Sequence, residues 1–113
     1  MMPLSWGEVR MYSLPDHGPL LTAADFEPYV GKIFVVDAQP KPLEIRLEKI
    51  LRQPHDPAVA RQPFVLIFTS PWNALLVDAM YSMQPNGGRP VQLVLIPTQT
   101  GPGERRYYHA VFN

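Results

Sequence analysis

Proline is the feature that most restricts how this chain can fold. The sequence has 14 prolines in 113 residues, more than twice the average usage of roughly 5%. Because a proline inside a helix or a central strand removes a backbone hydrogen bond, prolines favour turns and the ends of elements. Most of them lie between short apolar runs, at Pro40, Pro42, Pro54, Pro57, Pro63, Pro71, Pro85, Pro90, Pro97 and Pro102. This pattern predicts short strands joined by firm turns.

The apolar segments between these prolines have the length and pattern of β-strands. Residues 33–37 are apolar and mostly β-branched, residues 43–51 largely alternate between apolar and charged side chains, and residues 63–69 are apolar on both faces. Alternation indicates a strand with one solvent-facing side, whereas a short, fully apolar run indicates a strand that is covered on both sides. Residues 73–80 also fit a helical turn, because periodicity cannot decide over so few residues.

The C-terminal third contains a predicted hairpin and a final strand. Asn86, Gly87 and Gly88 offer the positive φ of a tight turn between residues 80–84 and 91–96. In the final strand, residues 105–113, the period of two places Tyr107 and Tyr108 on opposite faces. Short loops favour antiparallel pairing. We therefore predict a mainly β (α+β) fold, a small antiparallel β-sandwich or partly open barrel of about five to seven strands with one short N-terminal helix.

The segment before the first strand specifies that helix in detail. Thr22 and Asp25 have the three-residue spacing of a capping box. In this motif the side chain of the first residue bonds the backbone N–H of the second, and the side chain of the second bonds the backbone N–H of the first. Pro28 then interrupts the helix, because it lacks the N–H that a continuing helix needs. We expect one turn, a break, and a second short turn that ends at Gly31.

Composition bounds the function. Ten basic and ten acidic side chains give a formal charge of zero, which argues against a surface built to grip phosphate backbones. Cysteine is absent, so thiol catalysis and cysteine zinc sites are excluded. Neither a membrane-spanning run nor a secretory signal pattern is recognisable, so we expect no membrane association and a cytoplasmic protein.

The acidic residues favour structural roles over catalysis. Asp25 and Glu27 lie two residues apart, so on a helix they point in nearly opposite directions. Glu44 and Glu48 share one face of a strand with Arg46 between them, at a separation of roughly 13 Å from the strand rise. That separation exceeds the carboxyl spacing of glycosidases and is typical of a solvated face with ion pairs.

The three histidines form no sequence motif for a metal. His17 and His55 each lie beside an aspartate in a turn-like sequence, and His109 lies in the last strand. Their spacing differs from that of metal-ligating histidines. We predict no catalytic residue, metal or cofactor, and keep a small metal-dependent hydrolase using His and Asp as an alternative.

Aromatic and basic side chains suggest contact sites. Arg105, Arg106 and Tyr107 interleave charge with an aromatic ring, as in proteins that bind single-stranded nucleic acid. Because the chain has no net charge, single-stranded nucleic-acid binding is kept only as a second alternative. Trp6, in a segment that precedes the helix, has the character of an anchor for a partner.

Three segments resemble a known family. "LTAADFEPYVGKIF", "YSMQPNGGRPVQLVLIP" and "RRYYHAVFN" are similar to a family of small bacterial proteins described as a domain of unknown function, with an L-T-x-x-D-F-x-P-x-x-G-x-x-F opening and a Y-x-A-V-F-N ending. The resemblance covers residues 20–113, which implies a single β-rich domain preceded by an extension at residues 1–19. It implies no catalytic residues. It also implies an association with proteins that carry a phage tail-collar domain.

These observations together predict a non-catalytic module that binds a protein. We expect binding to another protein or self-association, because the strands have edges that can accept another strand. The resemblance implies an accessory component of a phage-tail-like or fibre assembly with a tail-collar or fibre-like partner, and so a cytoplasmic protein that enters an extracellular or virion-like assembly. The predicted partner contacts are Trp6, Tyr107, Tyr108 and Phe112.

Overall fold

The computed structural model describes residues 21–54, 56–58, 62–98 and 103–112. These residues form one helix, a 3-10 turn and six strands. In chain order they are α1 (Ala23–Phe26), the 3-10 turn (Glu27–Tyr29), β1 (Ile33–Val36), β2 (Leu43–Arg52), β3 (Phe64–Pro71), β4 (Ala79–Pro85), β5 (Val91–Pro97) and β6 (Arg105–Phe112). The predictions for Trp6, His17, His55 and the extension at residues 1–19 lie outside the described residues.

The six strands form one closed antiparallel barrel. Their order is β1-β2-β3-β6-β5-β4, and β1 pairs with β4 to complete the circle. The predicted fold class is confirmed, with a closed barrel in place of two packed sheets. β6 pairs with β3 along its whole length and with β5 through Ile96 and Pro97. It therefore has a paired strand on each side.

The short helix forms as its sequence predicts. The Thr22 N–H donates to Asp25 Oδ2 at 2.7 Å, and the Thr22 hydroxyl lies 3.1 Å from the same oxygen. Pro28 lies within the 3-10 turn, and Gly31 has φ of +85°, a conformation that favours glycine. The acidic residue at the start of α1 is thus an architectural element.

Large side chains from all six strands fill the barrel. Phe34 and Phe68 meet edge to face, with ring centroids 5.1 Å apart, and β3 is buried on both faces as predicted. The other fully buried side chains are Phe64, Ile45, Leu47, Leu66, Met83, Leu95, Val36, Thr69, Ser70 and Tyr108. The barrel interior is therefore a packed core.

A β-bulge in β2 changes the predicted alternation. The register with β3 shifts between Leu47 and Lys49, so Glu48 is the extra residue. Beyond it Ile50 packs against the core and Leu51 faces outward, 40% exposed. The prediction that Leu43, Ile45, Leu47, Lys49 and Leu51 share one face is therefore wrong after Leu47, since a bulge reverses the faces of all later residues.

The antiparallel order gives the barrel two distinct ends. We call them the loop end, where β3 and β5 finish and β4 and β6 begin, and the helix end, where α1 and the β4–β5 hairpin lie. At the helix end Phe26 packs against Phe64 and Phe112, with centroids 6.0 and 5.5 Å apart. The two ends can therefore carry different functions.

Candidate functional site

The connection between β3 and β4, residues 72–78, exposes large apolar side chains that lie close together in the sequence. We call it the β3–β4 loop. Leu75 is 59% exposed and Val77 63%, Trp72 is 46% exposed, and Met80 at the start of β4 is 62% exposed. Single exposed apolar side chains are ordinary, but a group of them marks an interaction site. These four lie within nine consecutive residues at the loop end.

The loop is fixed from inside the barrel. Leu76, between the exposed Leu75 and Val77, is only 4% exposed and belongs to the core cluster. Its N–H donates to the Tyr108 hydroxyl at 3.2 Å, and that hydroxyl lies 2.9 Å from Ser70 Oγ. Ser70 Oγ also donates to the Ala74 carbonyl at 3.2 Å. Buried hydrogen bonds thus connect the loop backbone to β3 and β6.

Two half-buried side chains, Arg106 and Tyr81, make further contacts with the loop backbone. The Arg106 guanidinium lies over the Trp72 ring, 4.4 Å from its centroid, and Arg106 Nε donates to the Trp72 carbonyl at 2.7 Å. The Tyr81 hydroxyl donates to the Val77 carbonyl at 2.8 Å. Such contacts hold the backbone in one conformation. The loop therefore presents its apolar side chains on a preorganised support, which reduces the entropy cost of binding.

The predicted contact residues have three different environments. Tyr107 is 42% exposed on the outer face of β6, so its predicted role remains sterically open. Phe112 is half-buried and stacks on Phe64, with centroids 4.4 Å apart and planes 8° apart. Tyr108 is fully buried, so its predicted role as a partner contact is wrong: a ring inside the barrel cannot touch a partner, and it supports the loop from within.

A polar cluster lies on the outer face beside the β2 bulge. Glu48 Oε2 accepts hydrogen bonds from Arg46 Nε at 2.8 Å and from Thr69 Oγ1 at 2.6 Å. Arg105 Nε lies 2.7 Å from Thr69 Oγ1, and Arg105 Nη2 donates to the Thr69 carbonyl at 3.1 Å. The sequence predicted ion pairs on this face of β2, and Arg46 and Glu48 form one at 2.8 Å. Thr69 and Arg105 were not predicted, because only strand pairing brings them beside Glu48.

The electrostatics of the cluster favour a fixed charge. Burial opposes ionisation of Glu48, but hydrogen bonds from Thr69 and Arg46, with the charges of Arg46 and Arg105, outweigh it and lower the pKa of the carboxyl. A carboxyl with a lowered pKa stays ionised near neutral pH and is a poor proton donor. The cluster therefore has the character of a structural ion pair.

Two other candidate acids, Asp25 and Glu27, have structural partners, and the described histidine lies on β6. Asp25 bonds Thr22, and Glu27 forms an ion pair with Arg52. His109 is half-buried on β6, opposite Ile67 in the register. Within the residues that the structure describes, no group of three His, Asp or Glu side chains could hold a metal ion.

The described part of the chain contains no helix with the length and apolar character needed to cross a membrane.

Comparison with known proteins places the chain in a family. No curated protein and no solved structure matches. A family model described as a domain of unknown function, DUF6916, matches residues 21–112, which include the barrel, its helix and the β3–β4 loop. The chain therefore belongs to the DUF6916 family.

Proposed function

We propose that this protein is a non-catalytic module that binds another protein through the β3–β4 loop. The observation that carries the proposal is the exposure of Trp72, Leu75, Val77 and Met80 on a backbone held by buried hydrogen bonds. Burying a leucine or valine side chain contributes about 1.5–3 kcal/mol. In the isolated chain these side chains remain exposed to water, so a partner surface that buries them gains this free energy.

The composition of the loop defines the chemistry of its partner. Trp72 is a residue type that often dominates binding energy, and its ring already has one face covered by Arg106. Leu75 and Val77 flank the buried Leu76, so they project from a fixed backbone. The partner therefore needs an apolar pocket with few charges at its centre.

We also propose that the partner belongs to a tail-like or fibre assembly, in the sense of the tail-collar association that the family resemblance implies. A rigid loop at one end of a small barrel suits an accessory subunit that docks on a larger protein. The charge balance of the chain, 10 basic and 10 acidic residues, is compatible with a protein surface as the target. Arg105 and Arg106 both engage protein groups, which disfavours nucleic-acid binding.

The test combines the purified chain with a purified protein that carries a phage tail-collar domain. Binding is measured by calorimetry, and light scattering after size exclusion measures self-association. The double variant Leu75→Ser/Val77→Ser removes two exposed apolar side chains from the loop. We expect binding to weaken at least tenfold, because the loss of two apolar contacts exceeds about 1.4 kcal/mol.

The matched control changes apolar side chains of similar exposure elsewhere. Leu51 is 40% exposed and Val111 is 49% exposed, and both face Val65 on the outer barrel wall toward the helix end. The variant Leu51→Ser/Val111→Ser should bind as the unchanged chain does. A strictly monomeric chain that captures no partner, or equal weakening by both double variants, would refute the proposal.

A further inference from the structure

A second surface lies at the helix end, opposite the β3–β4 loop. It is a groove of about 600 Å³ between α1, the 3-10 turn and the β4–β5 hairpin. This volume is within the range of about 300–1,000 Å³ that is typical of ligand sites. The apolar side chains that line the groove are Leu21, Phe26, Tyr29, Pro85 and Val91.

The walls of the groove are preformed. Tyr29 meets Phe34 edge to face, with centroids 6.2 Å apart, so its ring has a fixed orientation. The Tyr29 hydroxyl also lies against the hairpin: a Cβ atom added to Gly88 would be 2.7 Å from it and 2.7 Å from Pro85 Cγ. This contact requires glycine at position 88 and joins the 3-10 turn to the hairpin. The groove therefore exists without rearrangement.

Arg89 gives the groove a positive charge with which no described acid pairs. Asp25 and Arg89 are the two charged residues that line it. Asp25 Oδ2 already accepts the Thr22 N–H at 2.7 Å. Arg89 is exposed, and among the described side chains no acid pairs with it. The groove thus combines apolar walls with one guanidinium that can bind a carboxylate in a bidentate manner.

We propose that this groove binds an apolar peptide segment that carries a free carboxylate. The apolar side chains of the segment pack on Phe26, Tyr29 and Val91, and the carboxylate pairs with Arg89. An uncharged apolar segment would form no ion pair with Arg89, so the carboxylate adds both affinity and selectivity. The site is independent of the β3–β4 loop, since the two lie at opposite ends of the barrel.

The test uses two probes that differ only in charge. N-acetyl-Leu-Pro-Leu with a free carboxylate and the same peptide as its amide are titrated into the ¹⁵N-labelled full chain. We expect shifts of the amide signals of Phe26, Gly87, Gly88 and Val91, with the acid binding about fivefold more tightly than the amide, as suits an exposed ion pair. Arg89→Gln should abolish that difference.

Two control variants show whether the charge preference belongs to Arg89 and to this groove. The loop variant Leu75→Ser/Val77→Ser should bind both probes unchanged, so failure of the loop proposal leaves this one standing. Arg52→Gln removes a cation that pairs with Glu27 outside the groove, and it should preserve the fivefold preference. Arg89 is exposed, so its substitution should not prevent folding.

Three results would overturn the proposal. The first is the lack of shifts at the groove signals, and the second is equal affinity for acid and amide. The third is that Arg89→Gln moves signals of residues 1–20 while neither probe binds, which would make the chain's own N-terminal segment the occupant of the groove.

Discussion

Substitution of Tyr108 by phenylalanine tests the internal support of the β3–β4 loop most directly. The ring stays in the core, and only the hydroxyl is lost. That hydroxyl accepts the buried Leu76 N–H at 3.2 Å and lies 2.9 Å from Ser70 Oγ. Ser70 keeps its contacts with the Pro71 and Ala74 carbonyls, both at 3.2 Å. The main consequence is therefore one buried N–H without an acceptor.

The expected cost follows from that donor. An unsatisfied buried donor costs roughly 1–3 kcal/mol, so the free energy of unfolding should fall by about 2 kcal/mol. In a domain of this size such a loss lowers Tm by about 8 °C. Locally, the Leu76 amide loses its hydrogen bond and should exchange with solvent faster than the amides of the barrel strands. Partner binding should weaken as well, because a mobile loop must be ordered on binding.

Urea unfolding and amide hydrogen exchange measure the two effects. Tyr107→Phe is the matched control, because Tyr107 is the neighbouring residue on β6 and is 42% exposed; its effect should be within about 0.5 kcal/mol. An unchanged free energy of unfolding for Tyr108→Phe, with unchanged exchange at Leu76, would refute the reasoning. Loss of partner binding without loss of stability would instead indicate that the Tyr108 hydroxyl orders the loop for binding without contributing to the stability of the barrel.

Three further substitutions test other parts of the fold. The pKa of Glu48 is lowered from its ordinary value of 4.5, so the ionised carboxylate stabilises the fold above that value, and this stabilisation is lost as pH falls through the folded-state pKa. Glu48→Gln should therefore be less stable than the unchanged chain at pH 7 and equally stable near pH 2. A stability difference that persists at low pH in urea titrations would contradict this. Gly87 has φ of +83°, so Gly87→Ala should lower the free energy of unfolding by about 1 kcal/mol, whereas an increase would show that the turn relaxes. Phe112→Ala removes the ring stacked on Phe64 and should cost about 2 kcal/mol in thermal unfolding; a change below about 0.5 kcal/mol would show that the stack adds little.

Local sequence determined the elements whose geometry depends on nearby residues. Thr22 and Asp25 are three residues apart, and their hydrogen bond needs no distant partner. Gly87 has the positive φ that the hairpin needs, and Pro28 ends the helix where the sequence places it. The alternation of Tyr107 and Tyr108 is likewise a property of one strand. These features could be predicted because adjacent dihedrals and the period of a strand specify them.

Tertiary structure decided the closure of the barrel, the register and the site. The hydroxyl of Tyr108 meets Ser70 across 38 residues of sequence, and no local pattern indicates that a buried tyrosine supports a distant loop. The bulge at Glu48 follows from pairing with β3. The exposure of Leu75 and Val77 depends on Leu76 being the residue that enters the core. The sequence alone does not tell whether an apolar side chain points into the core or outward. Packing against strands far along the chain determines which side chains are buried and which remain available to a partner.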